Sequence, residues 1–75
     1  MEDVTITSTY ITLGQFLKYK NLISGGGRAK FFLMEHDVFV NDELDLRRGR
    51  KLYPGDRVDI DGIGSYRIVD EDADS

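Results

Sequence analysis

Apolar residues fall along this chain in two rhythms, and the switches between them mark out its elements. From Asp3 to Ser8, Val4 and Ile6 alternate with Thr5 and Thr7, the period-two pattern of a half-buried strand. Thr12 then stands where an N-cap belongs, and Gln15, three residues later, completes a capping box. Leu13, Phe16 and Leu17 follow at helical spacing, which predicts a first helix over 13–20, ended by Asn21, with Leu22 and Ile23 packing back as the chain turns. Ser24 is the next N-cap candidate, ahead of Gly25-Gly26-Gly27. Ala29, Phe32 and Leu33 then give the stripe of a second helix over 26–35. His36 and Asp37 close it, with His36 expected at the φ > 0 position that often ends a helix.

Val38-Phe39-Val40 reads as a strand and Asn41-Asp42 as a turn, with Leu44 and Leu46 on a short returning strand. Pro54-Gly55-Asp56 is a strong turn signal. Val58 and Ile60, then Tyr66 and Ile68, alternate with polar residues on two strands joined by Gly62-Ile63-Gly64. Residues 70–75 read as an acidic disordered tail, leaving one domain over 1–69. The fold class predicted is α+β: two N-terminal helices packed on a small, mostly antiparallel sheet.

Composition narrows the function more than the fold. A domain of 75 residues buries only roughly 60% of its unfolded surface, so its core is small. Without cysteine it has neither disulfides nor thiolate-bound zinc, which fits a reducing cytoplasm. The acidic start Met1-Glu2-Asp3 is unlike a signal peptide, and the longest apolar run, Phe31 to Met34, is too short to span a membrane. His36 is the only histidine and the carboxylates are scattered, so no catalytic residue, metal site or cofactor is expected, and no enzyme.

Net charge is −4, which argues against a nucleic-acid partner until its distribution is considered. Eight of the ten basic residues (Lys18, Lys20, Arg28, Lys30, Arg47, Arg48, Arg50 and Lys51) lie within 18–51, against five acids in that window. In Ser24-Gly25-Gly26-Gly27-Arg28-Ala29-Lys30, glycines at a helix start leave room for a phosphate, and Arg28 and Lys30 add charge there. A nucleotide-binding phosphate loop would need Ser or Thr after its lysine, and Phe31 follows Lys30. A flexible inter-helix loop explains the glycines equally well.

Arg47-Arg48-Gly49-Arg50-Lys51 puts four cations in five residues, which must face solvent or a polyanion. The plainer alternative is an exposed loop that aids solubility. Lys18 and Lys20 can bind phosphate or simply offset the dipole of the first helix. Phe31 points away from the predicted core stripe, beside Arg28, where it either stacks an unpaired base or covers the core edge. Tyr19 and Tyr53 read as packing residues.

Taken in order, Leu13-x-x-Phe16-Leu17, Ser24, Ala29-Lys30, Val38-x-Val40-Asn41 and Gly55-Asp56-x-Val58 resemble one family. It is the RNA-binding domain named after ribosomal small-subunit protein four, the S-four domain or αL motif. The resemblance covers about residues 12–60 and is closest to small stand-alone bacterial members of the YaaA and YbcJ types. It implies binding of structured RNA through the second helix and its flanking loops, with Ser24, Gly25, Gly26, Arg28, Lys30 and Asn41 at matching positions. The chain departs from the family at Thr12, often basic, at Gly14, often aspartate, and at His36 and Asp42, usually glycine.

The partner implied is rRNA, a ribosome-assembly particle or tRNA, met by a cytoplasmic monomer and selected by shape more than by base sequence. A protein-interaction module or adaptor with an acidic surface, using Phe31 and Met34, is the rival. A sulfur carrier is disfavoured because the chain ends Asp72-Ala73-Asp74-Ser75 rather than Gly-Gly.

Overall fold

Strand alternation and helical spacing meet in one buried layer. The computed structural model describes residues 1–71. Its elements run β1 (Glu2–Ile6), β2 (Ile11–Thr12), α1 (Leu13–Tyr19), a 3-10 turn (Gly26–Arg28), α2 (Ala29–Glu35), β3 (Val38–Val40), β4 (Glu43–Leu44), β5 (Lys51–Leu52), β6 (Arg57–Ile60) and β7 (Gly64–Asp70). The class is α+β, as the sequence predicts. Among the described residues no helix is long and apolar enough to cross a membrane.

The main sheet has the order β1-β7-β6-β3-β4. β7, β6, β3 and β4 pair antiparallel, whereas β1 lies parallel to β7, with Val4 opposite Ile68. The sheet is mostly antiparallel, as predicted, with β1–β7 its parallel pair; the expected order of helices first and sheet after is corrected, because the first strand joins the last. β7 continues through Asp70, which lies opposite Ile6, so that residue is in the sheet rather than in a tail. Residues 72–75 of the expected tail lie outside the described residues. β2 and β5 form a separate two-stranded ladder, Ile11 opposite Leu52.

One face of the main sheet is apolar: Val4, Ile6, Val38, Val40, Val58, Ile60, Tyr66 and Ile68 are all buried. Leu13, Phe16 and Leu17 of α1, with Ala29 and Leu33 of α2, close over it. Phe16 meets Tyr66 edge-on, with ring centroids 5.2 Å apart. Burying a side chain of this size stabilises by about 1.5–3 kcal/mol. The opposite face carries Asp3, Thr5, Asp59, Ser65 and Arg67, so the domain has two layers.

Local chemistry fixes the helix ends. Both halves of the Thr12–Gln15 capping box are present. Asn21 takes φ 59°, and the Leu22 and Asn21 amides donate to the carbonyls of Leu17 and Lys18, at 2.9 and 3.0 Å. That double bond pattern is the Schellman ending, which tolerates asparagine in the left-handed region. His36 departs from its expected role. Its φ is −129°, ordinary extended backbone, and its ring stacks on Phe32 with centroids 4.3 Å apart. The left-handed residues of this region are instead Asn41 and Asp42, at φ 52° and 70°.

Candidate nucleic-acid interface

The second helix begins differently from the expectation. Its N-cap is Arg28 rather than Ser24, and no side chain caps it. The glycines form the 3-10 turn ahead of it, where the Arg28 amide donates to the Gly25 carbonyl at 3.0 Å. At Gly25 and Gly27 a Cβ would meet nothing within 4 Å, and neither has a positive φ. Neither packing nor backbone strain therefore requires glycine at these two positions. Ser24 is exposed.

The basic loop is anchored to the first helix from the other side. The Gly14 amide donates to the Arg48 carbonyl and the Leu13 amide to the Arg50 carbonyl, each at 2.8 Å. These are first-turn amides with no partner inside the helix. A Cβ at Gly14 would sit 3.3 Å from the Arg48 carbonyl oxygen and 3.8 Å from the Ala29 Cβ. The loop, the start of α1 and the start of α2 thus come together around Gly14. Arg48 and Lys30 line one groove there, with Leu33, Met34, Asp37 and Leu46.

The other cations of that loop are occupied. Asp45 is only 8% exposed. Arg47 grips it with Nε and a terminal nitrogen, at 3.0 and 2.8 Å, and Arg50 reaches the same carboxylate at 3.1 Å. The hydrogen bonds from Arg47 hold the Asp45 carboxyl down at about 2, against desolvation, which pushes the other way. Lys51 stands over the Tyr10 ring, 5.0 Å from its centroid, and Tyr10 in turn packs against Tyr53 at 5.7 Å. Among the described residues, four neighbouring cations in sequence thus become one arginine without an ion-pair partner, Arg48, and three with partners.

Elsewhere the expected residues divide. Lys20 is ion-paired with Glu2, whose hydrogen bond raises its pKa, and lies near the Tyr66 ring, away from the groove. Asn41 uses its side chain within the fold, donating to Asp56 at 3.0 Å and accepting from the Arg57 amide at 2.9 Å. Lys18, Arg28 and Lys30 are exposed and have no ion-pair partner among the described residues. Phe31 is 62% exposed, as predicted, and so is Tyr19 at 63%, which corrects its reading as a packing residue.

The sequence reading missed Asp45, although an acid two residues before an arginine was the available signal. Met34 enters that reading only as part of a rival protein contact and Leu46 only as a strand residue, whereas the fold sets both in the lining of the groove with Lys30 and Arg48. A further groove, lined by Thr5, Thr7, Ser8, Tyr10, Gln15 and Tyr19 among others, has no cation in its lining.

Residues 4–69 match the model of the S4 domain. The chain belongs to the S4 domain family. Among proteins like this S4 domain is the probable ribosome maturation protein RlbA of Bacillus subtilis (strain 168), 59% identical over 66 residues, which span 88% of this chain and 93% of that protein. The family resemblance drawn from the sequence is thereby shown, and the match takes in the groove and every residue of the basic loop.

Proposed function

We propose that this chain is a non-catalytic RNA-binding protein that acts in the cytoplasm on structured ribosomal RNA or an assembling ribosomal particle. Arg28, Lys30 and Arg48 carry the contact, with the Ser24–Gly27 segment beside them. The observation behind this reading is the convergence of Lys30 and Arg48. Eighteen positions apart in sequence, both line one groove and neither has an ion-pair partner among the described residues. Cations left without partners beside one another repel, and a phosphate chain relieves that repulsion. Glycines that neither packing nor φ requires allow such a chain to approach closely.

The relative's name, a probable ribosome maturation protein, favours ribosomal RNA over tRNA. Arg47 and Arg50 form the supporting edge of the site, Lys18 and Lys51 its periphery, and Lys20 and Asn41 serve the fold. Phe31 stands next to Lys30 on the exposed side of α2.

Cross-linking in cells followed by sequencing of the bound RNA tests this proposal. Precursor or mature ribosomal RNA should dominate, and the signal should drop when Lys30 and Arg48 are both changed to Gln. Recovery of proteins alone, insensitive to RNase, would overturn it in favour of an adaptor.

A further inference from the structure

The groove between Lys30 and Arg48 is built for more than phosphates. Met34 is 73% exposed and Leu46 42%, and both line it with Leu33 beneath. Phe31, three residues before Met34, is its neighbour on the helix surface. A continuous RNA duplex offers phosphates and 2′-hydroxyls but no apolar face, so it would leave this surface wet. An unpaired base offers flat apolar faces, and stacking them out of water is favourable.

Asp37 is the one carboxylate lining the groove, and its side chain has no hydrogen-bond or ion-pair partner among the described residues. A carboxylate repels phosphate and only accepts hydrogen bonds. It therefore suits the donor edge of a base. Guanine alone presents two adjacent donors, N1–H and N2–H, on its Watson–Crick edge, matching the two carboxylate oxygens.

Resting on the RNA-binding reading above, we infer that the groove holds one unpaired nucleotide, guanosine by preference. Its base lies against Met34 and Leu46, its donor edge faces Asp37, and its flanking phosphates meet Lys30 and Arg48. Base identity then joins shape in selecting the target.

Fluorescence anisotropy with short RNA hairpins tests the inference. One hairpin is fully paired and four others carry a single unpaired G, A, C or U in the same stem. The G-bulged hairpin should bind about tenfold tighter than the paired one and several-fold tighter than the other three. Asp37→Asn should abolish the preference among bases while keeping the affinity for the paired stem, since the Asp37 backbone carbonyl, which accepts from the Asp61 amide at 3.0 Å, is untouched. Met34→Gln should bring bulged hairpins down to the paired level.

Equal, salt-sensitive binding of all five hairpins would overturn the nucleotide site and leave RNA binding standing. A guanine preference that survives Asp37→Asn would overturn the role given to that carboxylate. No binding to any hairpin would overturn both readings.

Discussion

The amide of Gly14 donates to the carbonyl of Arg48 at 2.8 Å, and through that bond the basic loop is fastened to the first turn of α1. The Thr12 hydroxyl caps the same turn by accepting from the Gln15 amide. The stability of the helix and the placement of Arg48 are therefore one problem.

Removing that cap should cost stability before it costs anything else. Thr12→Ala deletes one half of the capping box, and a lost N-cap destabilises by about 1 kcal/mol. In a domain this small that corresponds to a melting temperature roughly 4–8 °C lower. Thermal unfolding followed by circular dichroism measures it.

Asp45 gives a prediction in pH. Its carboxyl ionises at about 2 in the fold, below the ordinary 3.8. Its contribution is thus fully present above pH ~4 and is lost as pH falls towards ~2, at most about 2 kcal/mol. Denaturant unfolding at several acidic pH values should show this loss. Subtracting the curve for Asp45→Asn isolates it, because Asp59, lowered by Ser65 and Arg57, adds in the same direction.

Arg47 and Arg50 should matter for folding, and Arg48 for RNA. Replacing both Arg47 and Arg50 with Gln strips the buried carboxylate of Asp45 of its cations and should cost on the order of 1–3 kcal/mol. Arg48→Gln should leave the melting temperature within about 1 °C and weaken RNA binding more than Arg47→Gln does. Unfolding and gel-shift measurements on the same three proteins separate the effects. Replacing all four cations of the loop at once would mix them.

The two phenylalanines Phe16 and Phe31 offer a matched pair. Phe16 is fully buried against Tyr66, so Phe16→Ala should cost about 3–5 kcal/mol, most of what holds so small a domain together. Phe31 is 62% exposed, so Phe31→Ala should barely change stability. Chemical denaturation distinguishes them directly.

What the sequence revealed follows from the range of the interactions. Capping at Thr12 and the turn at Asn21 are local, and both were legible. So was the inward stripe of Leu13, Phe16 and Leu17. The parallel pairing of β1 with β7 was not, because Val4–Ile6 and Tyr66–Ile68 alternate alike and nothing local names the partner. β2 and β5, two residues each, are too short to show a period. In the basic loop the charges were visible, but the folding of Arg47 and Arg50 onto Asp45 depends on Asp45 being buried, which a polar residue among polar neighbours does not announce. Lys30 and Arg48 both stand out in the sequence as cations, yet their meeting in one groove needs the loop to cross the start of α1.

The account depends on position rather than total charge, and one comparison isolates that. Lys30→Gln with Arg48→Gln removes two cations from the groove; Lys20→Gln with Arg67→Gln removes two from elsewhere, Arg67 lying on the opposite face of the sheet. With a bulged RNA hairpin, wild-type affinity should fall about 40- to 150-fold between roughly 50 and 200 mM salt, as expected for three or four neutralised phosphates. The groove pair should weaken binding sharply and reduce the slope of log affinity against log salt by about 2. The other pair should leave that slope unchanged. Equal losses from both pairs would contradict the account, because the chain would then be responding to net charge alone.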